Sequence, residues 1–367
     1  MKVLVIGNST RSIVCSAKRA GHTVFSIDNF CDIDMRLCAD SALHLEHADS
    51  RIYELALSFG EIDGVILGTG FERLKFKNVL GNRIEVSGEV NDKLKLAKKF
   101  QTMGMPHPET EELSKAERLK FPLIIKPICG SGGMRNFTVN DEDELAAIQS
   151  RPDAREFIAQ EFVDGIPCSA SIIGTGDDAC VIALNEQLIG TPGLTRLPFA
   201  YCGNVTPFVT QFQNEMIEYS EQIALEFGLK GSNGVDFIQT EKGIVAIEVN
   251  PRFQGSLDTI ELSCGKNVFD EHVRSFSGKL PKPGKHKRFA VRNILYAGNT
   301  IKVNERLFNR LIKCMKMGRA ADIPEKGWTA REDEPLTTLL ETGRMREMAL
   351  EKVERSARYI RGMTEDR

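Results

Sequence analysis

No apolar run in this chain approaches the ~20 residues that a membrane-crossing helix needs, and the opening Met1-Lys2-Val3-Leu4-Val5-Ile6-Gly7 gives way to Asn8 and Ser9 after only a few positions. A signal peptide and a membrane span are therefore not expected. Charge of one sign is also missing: Lys plus Arg is 48 against 51 for Asp plus Glu, a net −3, so there is no field to hold nucleic acid or an acidic lipid surface. The nine cysteines never form Cys-x-x-Cys and are odd in number, which suggests neither a disulfide framework nor a zinc ribbon. A reducing cytoplasm is the expected setting. Among the six histidines only His44 and His47, beside Glu46, are spaced like metal ligands, and with no third ligand nearby the pair reads as a solvated strand end. No internal repeat is present.

What is there is an ordinary globular balance, 41% hydrophobic and 27% charged, over 367 residues, enough for two or three domains. The first segment reads strand (Lys2 to Gly7), helix (Thr10 to Ala20), strand (Thr23 to Ile27, ended by Asp28), with a further strand at Gly64 to Gly68. Gly7-Asn8-Ser9-Thr10-Arg11-Ser12 occupies the place of a dinucleotide-binding glycine loop, but Ser9 and Ser12 replace two of its three glycines. That weakens any NAD reading and leaves a βαβ unit kept for packing and substrate contact. A helix capped by Asn91 and stopped by Gly104, Pro106 and Pro108 comes next. It is followed by an acidic helix-like stretch over Glu109 to Lys120 and a strand over Phe121 to Ile128. Later strands are expected at Phe157 to Val163, Ser169 to Ile173, Cys180 to Leu184 and Phe289 to Tyr296. The closing helix, about Arg344 to Arg361, sets Met345, Met348, Ala349, Val353 and Ile360 on its apolar side. Met315-Lys316-Met317 reads as part of a helix.

Two constellations carry chemistry. Lys126 lies inside an apolar strand, where an ammonium without a counter-charge is costly, so it should face an anion. Directly after it Gly130-Ser131-Gly132-Gly133 exposes backbone N–H groups that suit phosphate oxygens and can close as a lid. Alone, these residues fit a solvated hairpin tip equally well. The second constellation is the hairpin Gly234 to Asn250, turning at Glu241-Lys242-Gly243. Strand alternation puts Glu248 and Asn250 on one face, with Val245, Ile247 and Val249 turned into a core. If residues 236 and 248 pair, Asp236 and Glu248 have Cβ atoms ~5 Å apart and need a cation between them. Asp, Glu and Asn oxygens suit Mg²⁺. Arg252 follows Pro251, able to set a guanidinium over phosphate oxygens.

This combination resembles the ATP-grasp superfamily, and within it the predicted carboligases related to biotin carboxylase, over nearly the whole chain. The resemblance implies an α/β (α+β) ATP-grasp fold: a Rossmann-like domain over 1–90, an ATP-grasp domain over 91–287 with a lid at about 108–165, and a biotin-carboxylase-like domain over 288–367. It implies that Lys93, Lys126, Gly130, Ser131, Gly132 and Gly133 meet the nucleotide phosphates. Gln160-Glu161-Phe162-Val163-Asp164-Gly165 looks like the hinge that holds adenine, with Asp164 standing in for the usual ribose partner. Asp236, Glu248 and Asn250 would bind Mg²⁺ or Mn²⁺, and Arg252 and Lys126 would be catalytic. Ser256 stands where biotin carboxylases have the glutamate that activates bicarbonate, which disfavours biotin carboxylation. The expected activity is therefore ATP-dependent ligation of a carboxylate to an amine, with Arg196 and Asn204 as substrate contacts. The alternatives are a carboxylase of the purine-pathway type and a non-catalytic nucleotide-binding protein. Partners would be small-molecule carboxylates and amines, not nucleic acid or membrane, and a homodimer is compatible.

Overall fold

The computed structural model describes residues 1–45, 51–130, 132–133, 135–282 and 284–362; His47, Glu46 and Ser131 lie outside them. The first unit is a parallel four-stranded sheet in the order Ser41–His44, Thr23–Asp28, Lys2–Gly7, Gly64–Leu67. Val3, Leu4, Val5 and Ile6 are all buried, the near-continuous apolar run that a parallel strand covered on both faces requires. At its carboxyl end Asp28 accepts the Thr10 N–H at 2.5 Å and the Cys31 N–H at 2.6 Å. This fixes the loop that leads into the helix Arg11–Arg19.

One expectation fails here. Cys15 on that helix and Cys38, the last residue of the helix Ile33–Cys38, are joined in a disulfide, with Cα atoms 5.1 Å apart. Their 23-residue separation carries no motif, and only the packing of the two helices brings them together.

The helix after this unit starts one residue later than expected. It spans Lys93–Met103, and its cap is Asp92, whose carboxylate accepts the Lys95 N–H, while Asn91 ends the preceding helix Ile84–Asn91. Gly104 closes it in the left-handed conformation. The acidic stretch 109–120 is not a regular helix but a short strand, Thr110–Glu112, and a 3₁₀ turn, Leu113–Arg118. That strand is the edge of an antiparallel sheet ordered Thr110–Glu112, Phe157–Glu161, Leu123–Pro127, Phe137–Val139, which packs on its own small core around Leu123, Ile125 and Phe157.

The remainder is organised by one eight-stranded antiparallel sheet. Its order is Gly243–Asn250, Lys230–Thr240, Ile166–Thr175, Ala179–Ile189, Tyr201–Thr206, Phe289–Tyr296, Pro335–Gly343, Ala320–Ala321. Tyr201–Thr206 pairs directly with Phe289–Tyr296, so the division expected at 287/288 runs through a continuous sheet. A large core around Phe237, Val235 and Phe227 lies at one end and a second around Leu311, Leu339 and Val353 at the other. In the closing helix Arg346–Arg361 the buried stripe is Ala349, Val353, Ala357 and Ile360. Met345 precedes the helix as its cap residue and Met348 faces outward, so both methionines are exposed.

Candidate active site

The two antiparallel sheets and the first unit close around a cavity of about 670 Å³. Its metal-ligand candidates are set by the hairpin. Asp236 pairs with Glu248, and Gly234 with Asn250, which puts Asp236, Glu248 and Asn250 on the cavity wall. The register shifts between Asp236 and Phe237, leaving Ile247 as an extra residue. Simple alternation therefore breaks: Ile244, Ala246 and Val249 form the core face, while Val245 is only half-buried and Ile247 lines the cavity.

Asp236 is fully engaged. Gln187 Nε2 donates to one carboxylate oxygen and Asn250 Nδ2 to the other, each at 2.9 Å. Burial, and next the charge of Glu248, push its pKa up to about 7, against the pull of Asn250, Arg252 and Gln187. Glu248 lies 3.6 Å from Lys93 Nζ, which also donates to the Gly130 carbonyl at 2.9 Å. Lys126 is buried on the strand Leu123–Pro127, and that burial lowers its pKa to about 8 even though Glu248 and Asp236 oppose the shift. Two lysines and two carboxylates thus share one end of the cavity.

Gly130, Gly132 and Gly133 line the same end. Gly133 has φ of 72°, and a Cβ there would fall inside the Phe199 carbonyl, so the loop can lie on Phe199 only as glycine. Residues Gln160 to Gly165 form a further wall; Gln160 donates to Thr110 Oγ1 at 2.8 Å, and Glu161 accepts the Lys120 N–H at 3.0 Å.

Arg252 sits past the hairpin, its Nε donating to Glu72 at 2.6 Å. Ser256, four residues on, is buried against the Ser171 hydroxyl, so no carboxylate occupies that place on the loop. Ser9, Ser12 and Thr69 of the first unit complete this part of the wall.

Two expected contacts are elsewhere. Arg196 is ion-paired with Glu332 on the surface and lines a separate cavity of about 360 Å³, because the loop carrying it turns its other end, Pro198 and Phe199, toward the large cavity. Asn204 is buried in a closed network: its Nδ2 donates to Thr206 and Thr259, and its Oδ1 accepts the Tyr201 hydroxyl. Tyr201 itself reaches the cavity. Gln187, Glu72 and Arg292 are the residues that the sequence did not single out. Each lies on a strand or loop with no motif of its own, and only the pairing of distant strands exposes its role. His44 Nε2 donates to the Asn29 carbonyl at 2.8 Å.

A family model described as an ATP-grasp domain matches residues 90–256. An uncharacterised protein of Methanocaldococcus jannaschii is 28% identical over an alignment spanning 98% of this chain and 93% of that one. Among solved structures, N5-carboxyaminoimidazole synthetase from Staphylococcus aureus complexed with ADP superposes with a TM-score of 0.77 at 16% identity, covering 97% of this chain and 96% of its own. Biotin carboxylase from Campylobacter jejuni gives 0.74 at 15%, over 96% and 89%. L-amino acid ligase from Bacillus licheniformis gives 0.70 at 15%, over 96% of each chain. At these identities the structures speak for the fold, which is mixed α/β and runs through nearly the whole chain. The stretch that the family model matches, residues 90–256, is an ATP-grasp domain.

Proposed function

We propose that the protein is an ATP-dependent carboxylate–amine ligase that forms an amide through an acyl phosphate and releases ADP and phosphate. The observation that carries this reading is the pairing of Asp236 with Glu248 on the cavity wall, beside Asn250 and opposite Lys93 and Lys126. Two carboxylates this close repel each other, and that repulsion adds to burial in raising the pKa of Asp236. Mg²⁺ or Mn²⁺ held by Asp236, Glu248 and the Asn250 amide would relieve that repulsion and neutralise the β- and γ-phosphate oxygens of ATP.

The chain's own groups then have distinct tasks. Lys93 and Lys126 face the α- and β-phosphate oxygens, whose negative charge opposes the lowering of the Lys126 pKa by burial. Gln160 to Asp164 receive the adenosine part. A substrate carboxylate oxygen attacks the γ-phosphorus, forming an O–P bond as the bond to ADP breaks. The amine nitrogen next attacks the acyl carbon, phosphate leaves, and the nitrogen gives up a proton. Arg252, steadied by Glu72, faces the oxygens where charge accumulates. The glycine loop over Phe199 keeps water from hydrolysing the acyl phosphate.

The position four residues past Arg252 is a buried serine, which argues against bicarbonate activation there. The deciding experiment is an ADP-release screen crossing carboxylates with amines, with bicarbonate as a parallel arm. ADP release that needs both a carboxylate and an amine supports the ligase. Dependence on bicarbonate instead would replace it with a carboxylase, and no nucleotide turnover under any condition would remove both.

A further inference from the structure

We propose that Arg292 anchors a second acidic group of the acceptor, which makes the substrate class a dicarboxylate, acidic amino acids included, with one carboxylate reacting beside Arg252 and the other gripped at Arg292. The inference rests on the ligase reading above and narrows it. Arg292 projects from the strand Phe289–Tyr296 into the cavity wall, with Tyr201 and Ile294 as neighbours in the lining. Its Nη1 donates to the Gly255 carbonyl at 2.9 Å and its Nη2 reaches Asp322 at a long 3.3 Å. Its Nε is buried and has no partner.

Among the described residues three buried side-chain polar atoms lack a partner, and the other two, on His22 and Asn293, belong to residues outside the cavity lining. Arg292 therefore keeps a buried donor that the protein itself does not satisfy, in a residue that faces the cavity. A ligand oxygen would satisfy it.

The charge of Arg292 is also only loosely matched. Asp322 is held first by Arg11, whose Nε donates to it at 2.8 Å, and the Arg11 fork is closed on Asp258 by two bonds of 2.7 Å. Asp34 lies 3.6 Å from the same guanidinium. Asp34, Asp258 and Asp322 all stay behind the wall, so Arg292 is the member of this cluster that meets the cavity. Arg252 differs: Glu72 already lies at 2.6 Å from it. The loop 252–256 thus meets two guanidiniums, Arg252 at its start, charge-matched by Glu72, and Arg292 bonded to its Gly255 carbonyl, with an unpaired donor. A planar carboxylate fits such an unpaired edge.

The test is calorimetric titration of protein loaded with Mg²⁺ and the β,γ-imido analogue of ATP, using malonate, succinate, glutarate and adipate, each against the monocarboxylate of equal length. At least one diacid is expected to bind tenfold or more tightly than its monoacid, and Arg292→Met to bring the two within twofold while the affinity for the nucleotide analogue shifts less than twofold. Arg292→Lys should keep part of the preference, and it serves if the methionine variant does not fold. Equal binding of diacid and monoacid by the unmodified protein, or a preference that survives both substitutions, overturns the proposal. Failure to bind the nucleotide analogue removes the ligase reading and this inference together, whereas nucleotide binding without diacid preference removes the inference alone.

Discussion

Arg252 and Glu72, 180 positions apart in the chain, meet at 2.6 Å with both side chains nearly buried. The pair links the loop after the metal-ligand hairpin to the loop after the fourth strand of the parallel sheet, so the first unit directly orients the guanidinium of the proposed chemical step. A buried pair of this kind is seldom a net source of stability, but breaking it strands a charge.

Glu72→Gln is therefore expected to lower kcat roughly tenfold or more through misplacement of Arg252, with little change in nucleotide affinity. Steady-state ADP release together with nucleotide titration separates the two effects. Equal kcat in the variant would show that Arg252 does not depend on this partner.

Glu248→Gln should reduce ATP turnover by roughly 10²–10³-fold, the scale of losing one charge-stabilising group. Circular dichroism should be unaltered, because the substitution also removes a repulsion on Asp236. Retention of most turnover would refute the metal role.

Gly133→Ala puts a Cβ against the Phe199 carbonyl at a positive φ and should cost about 1–3 kcal/mol of loop conformation. The KM for ATP is expected to rise severalfold while the thermal midpoint of the whole chain barely moves. A wild-type KM in this variant would mean that the loop does not lie on Phe199 when ATP is bound.

His272 sets a pH dependence away from the cavity's chemistry. Its Nδ1 accepts the Ser232 N–H at 2.7 Å, so Nε2 carries the proton and donates to the Leu80 carbonyl at 3.2 Å. Burial lowers its pKa to about 3. The unfolded chain takes up this proton near pH ~6.5, so the contribution of His272 is whole above that pH. It is lost at about 1.4 kcal/mol per unit as pH falls from ~6.5 toward the folded value. Urea unfolding between pH 7.5 and 4.5 should show a shallower pH slope for His272→Asn than for the unmodified protein; parallel slopes would contradict the assignment.

Several parts of this architecture were legible before any coordinates. Strand period and the turn at Glu241-Lys242-Gly243 are local, and they set the register as far as Phe237 opposite Ala246; the bulge then brings Glu248, in place of Ile247, opposite Asp236. The burial of Lys126 follows from the apolar strand around it, and the helix stop at Gly104 from the left-handed conformation that glycine tolerates. The bulge beside Asp236 was not legible, because one inserted residue reverses the facing of Ile247 without leaving a mark in composition. Nor was the choice between Arg196 and Arg292, since both are arginines in unremarkable surroundings and only the pairing of Tyr201–Thr206 with Phe289–Tyr296 carries one to the cavity and leaves the other outside. The chain's own order thus determined which short segments form and which side chains alternate, for these depend on backbone sterics over a few residues. Tertiary packing decided which distant charges meet, as Glu72 meets Arg252 and Cys15 meets Cys38, because contacts across long loops are selected by the burial of whole faces and not by any residue's neighbours in sequence.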